Sequence, residues 1–157
     1  MASTVTASKM TVTISESITL NGKNQGGTQT LSIPSIATVS KRIVNVPTSE
    51  VEIAAMGSDV ASGTFVQGDV RYIRITNLDD ANNVFLTFKN SDNDEFAVLL
   101  DYGQSFIYNS NFDGGVVNTF DANTAAEVSK DNLGTLSNIT AQADTGAVDL
   151  ELFVASV

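Results

Sequence analysis

Residues 70–89, Val-Arg-Tyr-Ile-Arg-Ile-Thr-Asn-Leu-Asp-Asp-Ala-Asn-Asn-Val-Phe-Leu-Thr-Phe-Lys, constrain the fold more than any other stretch of this chain. Two runs rich in β-branched and aromatic side chains flank a turn of Asn and Asp, which is the composition of paired strands and not of helices. Both runs alternate. Ile73 and Ile75 share one face of the first run, and Val84, Leu86 and Phe88 share one face of the second. A period of two places every second side chain on the same side of a pleated strand, so each run predicts one buried and one exposed face.

The same pattern recurs along most of the chain. Met10, Val12, Ile14, Ile18 and Leu20 are apolar at even positions, with Glu16 interrupting, so this segment reads as one bent strand or two short ones. Residues 21–27, Asn-Gly-Lys-Asn-Gln-Gly-Gly, predict a loop, and Leu31 and Ile33 restart the alternation, which predicts a hairpin. Pro34 and Pro47 bracket a strand-like run at 38–46 and suit strand ends. Further short strands are predicted around 51–55, 96–100, 106–108, 116–120, 133–143 and 148–154, and a short helix around 121–131. Nine to eleven strands at about 8–12-residue spacing are the signature of a sandwich or barrel. The expected fold is all-β: a two-sheet antiparallel β-sandwich of Greek-key or jelly-roll order. Residues 1–8, small and polar, are expected to form a flexible or partner-ordered arm, and 9–157 a single sandwich domain.

Composition narrows the chemistry. The 157 residues contain no Cys, no His and no Trp. There is thus no disulfide framework, no thiolate zinc site and no thiol nucleophile. The commonest general base and metal ligand is also missing. A glycosidase pair of carboxylates needs neither, but without Trp, and with three Tyr, a sugar-stacking platform is poorly supplied. The chain is therefore expected not to be an enzyme and to use no cofactor. Eighteen acidic against eight basic side chains give a formal charge of −10. That balance argues against direct binding to nucleic acid or to an anionic membrane. The first ten residues lack the basic start and apolar run of a secretory signal, so synthesis in the cytoplasm is expected.

Three loops invite a metal reading. Asn109, Asn111, Asp113 and Gly114 echo the first positions of a calcium loop, but Phe120 stands where the bidentate Glu belongs. Asp79, Asp80, Asn82 and Asn83 form a second cluster, and Asp92, Asp94 and Glu95 a third. Solvated turns explain all three more simply, and no metal site is expected. Asn138-Ile-Thr140 matches a glycosylation sequon, which carries little weight without a secretory signal.

The cations are few enough to be singled out. Arg71 and Arg74 sit among apolar residues on opposite faces of one strand, and Arg42 follows Lys41 in another. Each must be solvated, paired with an acid or used in an interface. A surface ion pair within the chain is the plainest account. In an assembly of acidic subunits, Arg42, Arg71 and Arg74 are also the natural candidates for contacts between subunits.

Three segments taken together carry a family resemblance: Lys-Arg-Ile-Val-Asn-Val-Pro-Thr-Ser-Glu at 41–50, Val-Arg-Tyr-Ile-Arg-Ile-Thr-Asn-Leu-Asp at 70–79, and Ile-Thr-Ala-Gln-Ala-Asp-Thr-Gly-Ala-Val-Asp-Leu-Glu-Leu-Phe-Val-Ala at 139–155. In a small acidic all-β chain they resemble small structural proteins of tailed bacteriophages, especially those infecting marine bacteria and cyanobacteria. The resemblance implies a virion component of the capsid exterior, a head decoration or cement protein. Its partner would be the major capsid protein, and its own association is expected to be a homotrimer. A tail or fibre component contacting the host surface is the alternative, and a carbohydrate-binding sandwich module a more distant one. No catalytic or binding residues come with the resemblance.

Overall fold

A strand with one apolar face needs a second apolar face to cover it, and in this chain two sheets cover each other. In the computed structural model, residues 4–90, 95–109 and 136–157 are described. They form thirteen strands: β1 (Ser8–Ser15), β2 (Thr19–Leu20), β3 (Lys23–Asn24), β4 (Thr28–Ile36), β5 (Thr38–Val46), β6 (Val51–Gly57), β7 (Thr64–Val66), β8 (Val70–Asn77), β9 (Val84–Asn90), β10 (Glu95–Leu100), β11 (Ser105–Asn109), β12 (Leu136–Ala143) and β13 (Val148–Ser156). The one helical feature among these residues is a 3-10 turn at Gln67–Asp69. The chain is all-β, as the alternation predicts. The strand expected at 116–120, the helix at 121–131 and most of the calcium-like loop lie outside the described residues, as do Asp92 and Asp94.

One sheet has the order β10-β9-β12-β6-β7 and the other β11-β8-β13-β5. All pairings within them are antiparallel except β6 with β7, which run parallel over Ala55–Gly57. The core lies between the sheets. Ile73 and Ile75 of β8, Leu150, Leu152 and Val154 of β13 and Val46 of β5 meet Leu86 and Phe88 of β9 and Ile139 of β12. Phe88, fully buried, stacks on Phe96 at 4.7 Å between centroids and packs against Phe106 at 5.2 Å. A side chain of that size contributes about 1.5–3 kcal/mol by leaving water.

The two alternating runs within residues 70–89 are strands, but they are not partners. β8 pairs with β11 and β13, whereas β9 pairs with β10 and β12. The turn between them carries the chain from one sheet to the other, so both apolar rows meet in one core from opposite sides. Alternation specifies a buried face and leaves the hydrogen-bonding neighbour open.

The first 36 residues add a third layer. β1 and β4 form an antiparallel ribbon, and β2 and β3 continue it to a tight turn at Asn21-Gly22, both with positive φ (50° and 76°). Two consecutive left-handed residues of the type Asn-Gly are the demand of a type I′ hairpin turn. Lys23 and Asn24 pair as β3, so the loop expected over 21–27 is interrupted by a two-residue strand and holds at 21–22 and 25–27. Pro34, expected at a strand end, stands inside β4, where the pairing with β1 shifts and Ser35 takes φ 61°. The inner half of this ribbon packs on the outer face of the four-stranded sheet. There Ile33 and Ile36 join Tyr72 and Ala155 in a second, smaller core flanked by Met10, Val12, Leu31 and Phe153.

Candidate functional site

The outer face of the four-stranded sheet is where charge, an aromatic cluster and a groove come together. Strand register aligns Lys41 of β5 with Phe153 of β13, Phe153 with Arg74 of β8, and Arg74 with Ile107 of β11. The next row holds Ile43, Glu151, Thr76 and Ser105. Side chains in these rows stand close enough to interact across strands.

Arg74 organises this face. Its Nη2 donates to Glu151 Oε1 at 2.6 Å and its Nη1 to Thr76 Oγ1 at 2.6 Å. Thr76 Oγ1 in turn shares a hydrogen bond with Ser105 Oγ at 2.8 Å. The guanidinium lies 5.8 Å from the centre of the Phe153 ring, within cation–π range. Lys41 Nζ reaches the other oxygen of Glu151 at 3.0 Å. Held by Lys41 first and Arg74 second, the Glu151 carboxyl titrates below its ordinary range. Tyr72, beside Phe153 in an edge-on contact at 5.9 Å, has its hydroxyl pushed above the ordinary range by burial.

Between this face and strand β1 runs an open groove of about 290 Å³ lined by Met10, Thr11, Val12, Thr13, Tyr72, Arg74 and Phe153. A neighbouring groove of about 320 Å³ continues along Ser8, Lys9, Met10, Ile36, Ala37, Val39 and Phe153. Val39 in this groove and Ile43 farther along stand 54% and 63% exposed on β5, the terminal strand of its sheet among the described residues.

The three arginines singled out in the sequence have different fates. Arg74 joins the network just described. Arg71, on the opposite face of β8, is buried and donates to the carbonyls of Gly68 at 2.6 Å and Val70 at 3.4 Å. Arg42 crosses from β5 to the other sheet, where its Nη2 donates to the carbonyl of Ile53. The structure therefore brings no two of the three together: one serves the outer face, one braces a turn, and one ties the two sheets at an edge.

The acidic loop at 79–83 is held by turn chemistry. Asp79 accepts backbone N–H groups from Asn82 at 2.6 Å and Ala81 at 2.8 Å, which hold its carboxyl below the ordinary range. Asn83 donates through its backbone and side chain to Asp144, at 3.2 and 3.0 Å, and so joins the β8–β9 turn to the β12–β13 turn. Among the described residues, no three His, Cys, Asp or Glu side chains are grouped to hold a metal ion.

Sequence reasoning missed Asn77 and the return strand β3 of the hairpin. Asn77 is fully buried at the point where the chain leaves β8. Its Nδ2 donates to the carbonyls of Asn82 at 2.9 Å and Leu100 at 3.4 Å, and its Oδ1 accepts the Asp79 N–H at 3.0 Å. A lone Asn before a turn gives no sign of that load. The hairpin was legible in part, because the even-numbered apolar row from Met10 to Leu20 is its signature. No family model, curated protein or solved structure matches the chain.

Proposed function

We propose that this chain is a non-enzymatic structural protein of a tailed-bacteriophage virion, a head decoration or cement protein that binds the outside of the capsid shell and stabilises it. One observation carries the reading. The segments with the family resemblance at 41–50, 70–79 and 139–155 contain most of β5, the second half of β12 from Ile139 on, and all of β8 and β13 but the terminal Ser156; three of these strands are neighbours in the order β8-β13-β5. Pieces scattered along the chain thus form three neighbouring strands of one sheet, and the part of its outer face that the β1–β4 ribbon leaves open can serve as an interaction surface. Its exposed margin, Val39 and Ile43 on β5 flanking Lys41, offers aliphatic area beside a cation and a strand edge. Such an edge suits a protein partner by side-chain burial and by sheet extension. The partner in this reading is the major capsid protein, and the decorating unit is a homotrimer. Arg42, Arg71 and Arg74 then act on subunit contacts by bracing the surfaces around them, with Arg74 the one that reaches the outer face.

A moderate-resolution cryo-EM map of the source particle tests this directly. The expected result is many copies on the capsid exterior, with heads lacking the protein losing heat tolerance. Substituting Val39 and Ile43 by Lys should reduce incorporation while the isolated protein stays folded. A few copies at the tail, with adsorption lost and heads intact, would favour the tail or fibre reading instead. Absence from any particle would overturn both.

A further inference from the structure

The apolar row of the hairpin continues where the body ends. The register of Met10↔Ile33 through Ser15↔Thr28 is the register of Leu20↔Lys23, and residues 16–18 and 25–27, which lie between the paired strands, are bridged by the bonds from Glu16 N–H to the Gly27 carbonyl and from Gln25 N–H to the Ile18 carbonyl. Even-numbered side chains from Met10 to Leu20 therefore share one face. Met10 and Val12 spend that face on the body, but Ile14, Ile18 and Leu20 are 44%, 48% and 55% exposed. A two-stranded ribbon standing alone in water is marginally stable, so burying this row would stabilise the arm as well as the contact.

Two charges indicate what covers it. Residues 13–30 contain one acid, Glu16, and one base, Lys23. Both lie on the apolar face, Glu16 between Ile14 and Ile18, and Lys23 opposite Leu20. The Glu16 carboxylate leans over the second strand, 4.0 Å from where a Cβ on Gly27 would stand. Among the described residues neither charge has an ion-pair partner in its own chain. Lay two such ribbons face to face and antiparallel about a two-fold axis at Ile18. Ile18 then meets its copy, and the level of Glu16 on each arm meets the level of Lys23 on the other.

We propose that the outer half of the hairpin is a self-association surface: arms of two copies of this chain pair antiparallel through Ile14, Ile18 and Leu20, with reciprocal Glu16–Lys23 ion pairs. Charge distribution favours a second copy at this place. Residues 1–36 hold two lysines against one glutamate, whereas residues 37–157 hold six cations against seventeen acids. Two such bodies repel at close range. The outer arm, about 25 Å long at ~3.3 Å per residue, separates them by more than the ~8 Å over which salt screens charge. The paired face, about 25 by 10 Å, is far smaller than the ~1,600 Å² of a standard interface. Pairing is therefore weak between free copies and strong only where copies are held side by side.

Because the chain has no Cys, a single introduced thiol reports proximity cleanly. With a short bis-maleimide cross-linker, the Ile18→Cys variant should give linked dimers at least ten-fold faster than Thr19→Cys, whose side chain stands on the opposite face. In the Ile18→Cys background, Glu16→Lys and Lys23→Glu should each slow linking several-fold, and the double variant should restore it. Sedimentation of the cysteine-free chain at high concentration gives a second reading, with the same loss and recovery expected. Equal linking from the two cysteine variants, or a double variant no better than the singles, would overturn the proposal.

Discussion

Asn77 shows how much one polar side chain can hold. Three groups bond to its amide, the carbonyls of Asn82 and Leu100 and the N–H of Asp79. Its own backbone N–H also reaches the Gln104 carbonyl at 2.9 Å, and its carbonyl accepts from Gly103 at 3.1 Å. Leaving buried polar groups unpaired costs about 1–3 kcal/mol. Asn77→Ala should therefore lower the urea midpoint by an amount in that range. Asn77→Asp separates hydrogen bonding from packing, because it keeps the volume and loses the donor. A buried carboxylate facing two carbonyls is held protonated up to a raised pKa. The deficit of Asn77→Asp should be large at neutral pH and narrow as acid restores an O–H donor. A deficit independent of pH would mean that the side chain acts by shape alone. Phe88 makes the apolar counterpart. It is fully buried among Phe96, Phe106 and Tyr108, so Phe88→Ala should cost about 3–5 kcal/mol by calorimetry or denaturant titration.

At the scale of elements, the sequence is most legible where packing obeys a simple period. β8, β9 and β13 alternate, and the structure buries the rows the alternation predicts, Ile73 and Ile75, Val84 to Phe88, and Val148 to Val154. It is least legible where pairing depends on the partner's backbone. Nothing in residues 70–89 says that the two runs join different sheets, since either arrangement buries the same faces. Residues 23–27 read as loop because Lys, Asn, Gln and Gly are poor strand formers, yet register carried from the Asn21-Gly22 turn pairs Lys23 and Asn24 and brings the Gln25 N–H to the Ile18 carbonyl. The outer face network had the same fate. Arg74 was visible as an oddity, but Glu151 and Lys41 become its neighbours only through two strand registers. Gly26 marks the weak point of the arm. A Cβ there would stand 2.1 Å from the Glu16 carbonyl oxygen and 2.8 Å from its carbon, both backbone atoms that cannot turn aside. Gly26→Ala should therefore open the outer ribbon and leave the sandwich intact. Amide exchange should quicken at Glu16 and Gln25, whose N–H groups bond across the ribbon, with the core amides of β8 and β13 unchanged. Cross-linking of the Ile18→Cys arm should fall in the same variant.

Over the whole molecule, the ion pairs set a window of pH for stability. Glu50, Asp79, Asp144 and Glu151 all have folded-state carboxyls below the ordinary range: Glu50 through Lys89 and the Thr140 hydroxyl, Asp79 through backbone N–H groups, Asp144 through the Thr145 hydroxyl, and Glu151 through Lys41 and Arg74. A lowered carboxyl binds its proton less readily folded than unfolded. Its contribution is complete above the unfolded pKa of about 4 and disappears as pH falls through the lower folded value. Lys89, raised by Glu50, has the opposite sign: its contribution is complete below the unfolded pKa of about 10.4 and is lost as pH rises through the folded one. The urea midpoint should therefore be nearly level between about pH 5 and 9 and drop on both sides. Acid also removes the net charge of −10, and with it the mutual repulsion of surface carboxylates, as pH approaches the isoelectric point near 4.1. The two effects of acid oppose each other, and a double substitution separates them. Glu151→Gln with Glu50→Gln removes two stabilised carboxylates and at the same time reduces the net negative charge of −10 by two. If the specific pairs dominate, this variant should be less stable than wild type at pH 7 and should lose less on going to pH 3. If repulsion dominates, it should be the more stable of the two at pH 7 in low salt, and the difference should vanish in molar salt.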